Sequence, residues 1–209
     1  SILIFSQPFA YGIEDIARRA IEFDGIDDFV EVSDAATLDL TTSGTIEAWI
    51  YITGFIDNAG IIHKGDGSIN EAYSLRFGTG EQNDQIQLVV NNGTADTLTS
   101  STDLTAGQWY HVAGIWDGTD MSIYIDGILD NTKVSTTAAQ NSSETLIIGA
   151  RDDTGSNSFN GVIDEARIWS AALDAADIDD LRDFICQKIN TTHLYFADLE
   201  GYWRFDENN

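Results

Sequence analysis

The sequence predicts an all-β fold, an antiparallel two-sheet β-sandwich of the jelly-roll type with one short C-terminal helix, on three observations. Short runs rich in Ile, Val, Thr, Tyr and Trp recur between clusters of Gly, Asp and Asn, the composition of strands separated by turns. Within those runs apolar residues return at every second position, the period of a pleated strand. After the last of them, one segment carries the capping residues and the three-to-four spacing of a helix. A single proline in 209 residues leaves the strand ladders almost uninterrupted.

Taken in order, Ser1 to Gly12 is an apolar run ending in small residues. It fits the tail of a signal peptide and fits an edge strand equally well, since it lacks a basic leading region. Residues 1–19 are therefore read as an N-terminal leader or edge segment, and the initial serine as the mark of a processed product or a piece of a longer chain. In Thr45 to Ile52, the residues Ile46, Ala48, Ile50 and Ile52 share one face, and Trp49 and Tyr51 take the other. Tyr73 to Phe77, Ile86 to Val90 and Met121 to Asp126 repeat that period. Asp117-Gly118 and Asp126-Gly127 are the pairs that type I′ hairpin turns prefer, because both central positions need positive φ. Residues Trp109 to Ile128 are thus expected to form a meander of consecutive antiparallel strands. In the helix, Asp174 is the expected N-cap, Asp177 sits at the third position near the positive end of the dipole, and Leu173 and Ile178 have staple spacing. Ile178, Leu181 and Ile185 form the apolar stripe, which is expected to pack on the rim of the sandwich.

Thirty-five Asp and Glu against ten Lys and Arg give a formal charge of −25. Such a surface repels phosphate backbones and anionic lipid, which argues against nucleic-acid binding and membrane insertion and favours a cation or solubility in salt. The acids are dispersed, and 43% of residues are hydrophobic, so the chain can bury a core rather than remain an acidic tail. Cys186 is the one cysteine, which excludes an internal disulfide and a paired-cysteine metal or redox site.

Two acid-bearing segments flank strands. Phe23 to Val32, FDGIDDFVEV, holds four acids and a glycine, and Gly161 to Trp169, GVIDEARIW, holds Asp164 and Glu165. Carboxylates interleaved with glycine carbonyls are the hard oxygen donors that calcium collects in sixes to eights. The same residues are equally compatible with ordinary turn acids at Asp27 and Asp28 and a solvated strand edge at Asp164 and Glu165.

The ordered motifs IEFDGIDDFVEV, TIEAWIYI, GQWYHVAGIWDGTDMSIYIDG, LIIGA and FNGVIDEARIWSAALDAADI resemble the LamG-like jelly-roll family of the concanavalin A-like lectin/glucanase superfamily. The match runs from about Ala20 to Arg182 and defines a domain at 20–185. The resemblance implies a two-sheet sandwich, usually extracellular, used for binding or adhesion, with one structural Ca2+ in many members. Carried over by position, Asp24, Asp27, Asp28 and Asp164 are the metal-ligand candidates. Residues 186–209 end in LEGYWRFDENN, which resembles the entry to a following domain in multidomain bacterial surface proteins. The alternative is a last packing strand built on Tyr202, Trp203 and Phe205.

Catalysis has little support in the sequence. Retaining glycosidases set two carboxylates about 5 to 5.5 Å apart, commonly by alternation on one strand. No such string occurs, and adjacent Asp164 and Glu165 are expected to face opposite ways. Glu47, among apolar neighbours, reads as a paired or edge carboxylate, and His111 as a core histidine bonded to a neighbouring strand. His63, His111 and His193 have no metal-ligand spacing. Trp49, Trp109, Trp116 and Trp169 lie in strand-like runs and read as packing residues. The loops at Asp66 to Glu71, Gly78 to Asp84 and Asp152 to Asn160 are better placed for a ligand. On the last of these, Asp152, Asn157, Phe159 and Asn160 offer hydrogen bonds and one stacking face. The reading is a noncatalytic, calcium-stabilised binding or adhesion module of a secreted or surface protein, with a glycan or a surface protein as partner and flanking domains beyond. A structural spacer is the alternative, and a glycoside hydrolase the third.

Overall fold

Period-two alternation in TIEAWIYI becomes the central strand of the larger of two sheets. The computed structural model describes residues 20–68, 70–155, 157–185, 189 and 196–205, so the expectations for residues 1–19, Cys186 and His193 lie outside it. In chain order the strands are β1 (Ile21–Asp24), β2 (Val30–Val32), β3 (Gly44–Gly54), β4 (Gly60–Lys64), β5 (Tyr73–Phe77), β6 (Ile86–Asn91), β7 (Ala95–Thr99), β8 (Trp109–Trp116), β9 (Asp120–Ile125), β10 (Ile128–Val134), β11 (Leu146–Ile148), β12 (Asn160–Trp169) and β13 (Leu199–Trp203). The larger sheet runs β1-β12-β3-β8-β9-β10, with β13 also on β12, and the smaller runs β2-β11-β4-β5-β6-β7. All pairs are antiparallel.

The core lies between the inner faces. Ile46, Ala48, Ile50 and Ile52 of β3 point into it against Leu75, Phe77, Ile86 and Leu88 of the smaller sheet. Burial of such side chains stabilises by roughly 1.5 to 3 kcal/mol each, and this repeated alternation fixes the register. The meander β8-β9-β10 forms as expected. At its second turn Asp126 (φ 52°) and Gly127 (φ 78°) both adopt the positive φ that a type I′ turn requires. The first turn departs from that expectation. There only Gly118 is positive, and the Asp117 carboxylate accepts from the Thr119 and Asp120 amides at 2.7 and 2.8 Å, closing a longer turn by side chain.

One edge of β12 is shared. β1 covers Asn160 to Ile163 and β13 covers Ala166 to Trp169, end to end. Between them three residue steps on β12, from Asp164 to Arg167, oppose two on β3, from Trp49 to Glu47, with Glu165 at φ 50°. This is a β-bulge.

The helix, α1, spans Ala175–Asp183 with the full capping box, Asp174 accepting from the Ala176 and Asp177 amides at 2.8 and 3.0 Å. Ile185 therefore falls beyond its end. Instead of the rim, α1 covers the outer face of the larger sheet, where Ile178 and Leu181 meet Ala113, Ile115, Tyr124 and Trp169. No helix among the described residues is long and apolar enough to cross a membrane.

Candidate functional site

Among the described residues, three regions hold side chains able to carry chemistry. The first is the turn after β1. Asp24 accepts the Ile26 amide at 2.8 Å, and Asp28 accepts the Asp24 amide at 3.2 Å. These bonds bend the turn so that one oxygen from each of Asp24, Asp27 and Asp28 lies within 4.8 Å of the others. Carboxylate oxygens gathered in this way are the hard donors that calcium takes, so the donor set fits that ion in chemistry. The loop before β12 closes on this turn. A Cβ on Gly155 (φ 76°) would lie 2.8 Å from the Asp27 Cα, which leaves glycine as the residue that permits the approach.

Asp164 is not brought to this turn. Asp24 pairs with Asn160, and Asp164 lies four residues further along β12, roughly 13 Å away at strand rise. It is buried opposite Trp49 and accepts the Glu165 amide at 2.8 Å. The bulge also overturns the expectation that Asp164 and Glu165 face opposite ways. Alternation is suspended there, and Glu165 reaches Arg167 and Tyr202 on the outer face that Asp164 also takes by its pairing with Trp49.

The rim residues divide. Asp152 accepts from Thr154 at the head of its loop, and the Asn157 amide donates to the Asp57 carbonyl at 2.9 Å. Asn160 opens β12. Phe159, expected to offer a stacking face, is fully buried, stacked on Phe77 at 5.6 Å and edge-on to Phe23 at 6.5 Å. Its ring is core, and no sugar can reach it.

The second region is the outer face of the smaller sheet. By register, Ile147, His63, Ser74 and Val89 form a row across that face, with Arg76 on the same side two residues beyond Ser74. All four of the row are buried although they face away from the core, because loops fold over them. The Gly67 amide donates to His63 Nε2 at 3.2 Å, and a Cβ on Gly67 would lie 3.2 Å from the Arg151 carbonyl oxygen, so the loops at 65–71 and 151–155 meet here. Glu71 sits at the centre. Its Oε2 is 3.3 Å from Arg151 Nη2, while its Oε1 is 3.7 Å from both Arg76 Nη1 and His63 Nδ1, too far for either to bond. His63 Nδ1, Ser74 Oγ, Glu71 Oε1, Arg76 Nε, Arg76 Nη1 and Arg151 Nε are buried without a hydrogen-bond partner. Burial, then the charges of Arg151 and Arg76, lowers the His63 pKa to about 3, so the ring is neutral near pH 7. Burial, with Arg151 beside it, also lowers the Arg76 pKa despite the opposing pull of Glu71.

Sequence reasoning missed this cage. His63 reads as an isolated histidine, and Arg76 and Arg151 are far apart in the chain. The available signals were the alternating polar pair Ser74 and Arg76 in YSLRF and the ligand-suited loop at Asp66 to Glu71.

The third region is under α1. Glu47 accepts from Arg167 at 3.1 Å, Trp169 at 3.3 Å and contacts His111 Nε2 at 2.9 Å. Arg167 also bonds Glu165 at 2.7 Å and the carbonyls of Leu181 and Phe184, with Tyr202 stacked 5.0 Å from its guanidinium. Burial alone would raise the Glu47 pKa, but Arg167 and His111 more than offset this and hold it below its ordinary value. The Glu47 and Glu165 side chains are 0% and 1% exposed, so this carboxylate pair has no access to a substrate.

A family model for the concanavalin A-like lectin/glucanases superfamily, of the laminin G type, matches residues 24–179. No curated protein matches the sequence. Among solved structures, a candidate carbohydrate-binding protein from Bacteroides ovatus superposes with a TM-score of 0.67 at 19% identity, covering 90% of this chain and 52% of its own, so this chain spans about half of that protein. Domain 4 of AbnA, a GH43 extracellular arabinanase of Geobacillus stearothermophilus in complex with arabinotriose, gives 0.66 at 16% identity over 87% of this chain and 81% of that one. The Ruminococcus gnavus IT-sialidase CBM40 bound to α2,3-sialyllactose gives 0.66 at 16% identity over 79% and 96%. At these identities the likeness is one of fold.

Proposed function

Because the chain belongs to the concanavalin A-like lectin/glucanases superfamily, we propose that it works as a noncatalytic carbohydrate-binding module of a secreted or surface protein, stabilised by calcium. The observation that carries the reading is the set of six buried, unpartnered polar atoms under the outer face of the smaller sheet. A buried donor or acceptor left without a partner costs about 1 to 3 kcal/mol, so a fold that keeps six together is poised for polar ligand groups. Sugar hydroxyls supply both donors and acceptors. The sugars held by two structural neighbours, arabinotriose and sialyllactose, support the same class.

Calcium is assigned to Asp24, Asp27 and Asp28, with carbonyls and water completing its shell. Its role is to hold the turn and the 152–158 loop together against the repulsion of three carboxylates. Catalysis is not part of the reading, since the Glu47 and Glu165 carboxylates are both tied to Arg167 and sealed under α1.

The test is a glycan array of neutral and acidic oligosaccharides, read for binding and for cleavage products. Binding without turnover is expected, whereas release of sugar would overturn the noncatalytic reading and silence across the array the carbohydrate reading. For the metal, melting in chelator and in excess calcium is expected to differ, by roughly 2.7 kcal/mol at a hundredfold excess over Kd. Magnesium is expected to do less, because it sheds water reluctantly. Asp27→Asn should abolish the calcium shift and Asp164→Asn should retain it. Identical curves with and without calcium would remove the ion from the account.

A further inference from the structure

We propose that the cage formed by His63, Glu71, Arg76 and Arg151 receives the carboxylate of an acidic sugar, with Ser74 and Glu71 meeting its hydroxyls, a proposal that rests on the carbohydrate-binding reading above. The charge count motivates it. The protein has only ten Lys and Arg among 209 residues and a formal charge of −25, yet two arginines converge here on one carboxylate. With His63 neutral, two guanidiniums face the single Glu71 carboxylate, and Asp66 and Asp152 lie close enough for their charges to act on His63.

The geometry points the same way. Glu71 satisfies neither arginine fully, since Arg76 Nε and Nη1 and Arg151 Nε have no acceptor. Guanidinium nitrogens bind planar carboxylates through paired hydrogen bonds, and do so more strongly where water is largely excluded. Burial lowers the Arg76 pKa despite the pull of Glu71, as for a guanidinium held out of water. Glu71 Oε1 is an acceptor, Ser74 Oγ both donor and acceptor, and His63 Nδ1 a donor once Nε2 has accepted from Gly67. A hydroxyl-bearing ring with one carboxylate matches that inventory better than a bare anion, which would leave Glu71 Oε1 facing like charge. The arginine side chains are the part of the cage nearest solvent, 11% and 22% exposed against 0% for His63 and 4% for Glu71, and the loop that carries Gly67 and Glu71 must lift for a sugar to reach the buried atoms.

Titration calorimetry with 3′-sialyllactose, a glucuronic-acid disaccharide and lactose tests this on the full chain. At least one acidic sugar is expected to bind about tenfold or more tightly than lactose. Arg76→Lys and Arg151→Lys, which keep the charge and lose the paired donors, are each expected to weaken that sugar about tenfold and so to lower the ratio of acidic to neutral affinity. Circular dichroism melts accompany both variants. If either loses its fold, the acidic-to-neutral ratio of the unaltered protein decides by itself. Equal affinity for acidic and neutral sugars, or lysine variants that bind as the parent does, would overturn the acidic-sugar site while carbohydrate binding stands. Binding to none of these sugars and to nothing on the array would remove the carbohydrate reading itself, and this site with it.

Discussion

On the outer face of the larger sheet, one arginine meets two carboxylates, two backbone carbonyls and an aromatic ring. On the outer face of the smaller sheet, two arginines share one carboxylate that properly bonds only one of them. Both clusters are buried and both use Arg, Glu and His, yet the first is closed and the second slack. Under α1 and β13, Arg167 ties β3, β12, the helix end and the last strand into one body, and the cluster leaves Arg167 Nε and His111 Nδ1 unpartnered against six such atoms in the other. Between the 65–71 and 151–155 loops the groups stop just short of one another. Similar residue types thus serve two ends. A closed network adds order to a fold, and a slack one keeps polar capacity for something not yet bound.

The largest expected effect breaks the closed cluster. Arg167→Ala leaves Glu47 and Glu165 buried without their counter-ion and is expected to cost about 3 to 5 kcal/mol, read from denaturant midpoints. Arg151→Ala, at the partly exposed edge of the slack cluster and with Arg76 still beside Glu71, is expected to cost less, about 1 to 2 kcal/mol. Equal losses from the two would erase the distinction.

Acid separates the clusters next. The folded His63 pKa is lowered to about 3 from an ordinary 6.5, so the unfolded chain binds the extra proton first and stability falls as pH drops from 6.5 towards 3, with a slope of up to about 1.4 kcal/mol per pH unit. His63→Gln should flatten that slope. Glu47, its pKa lowered, contributes stability that is full above the ordinary carboxylate range and lost only as pH falls through its lowered value. The unaltered protein should therefore weaken first through the slack cluster, and a slope unchanged in His63→Gln would contradict that order. The smallest effect concerns the lid of the closed cluster. Asp174→Ala removes the α1 cap and is expected to cost about 1 kcal/mol by thermal melting, with sugar binding untouched.

How much of this was legible follows from the range of the interactions. The sandwich was, because alternation in β3, β5, β6 and β9 is local and each strand has one apolar face to bury. The capping box of α1 and the Asp126-Gly127 turn were legible for the same reason, being fixed by residues within four positions. The acidic turn was half legible. Asp24, Asp27 and Asp28 converge through their own hydrogen bonds, but the separation of Asp164 depends on the register of β1 on β12. The bulge at Glu165 carries no signal in GVIDEARIW, since it arises where β1 hands over to β13. Phe159 lies in a Gly- and Asn-rich loop and reads as exposed, yet it enters the core between Phe23 and Phe77. The cage at His63 needs four segments at once, and no local pattern announces it.

The most direct test of the slack cluster as the working surface is amide chemical-shift mapping of the labelled protein during titration with the tightest sugar from the array. Perturbations are expected at Gly65 to Glu71, at Ser74 and Arg76, and at Arg151 and Asp152, with the residues around Glu47, Arg167 and α1 unmoved. Shifts gathered on the outer face of the larger sheet, or on the rim from Asn157 to Asn160 with the cage silent, would contradict it.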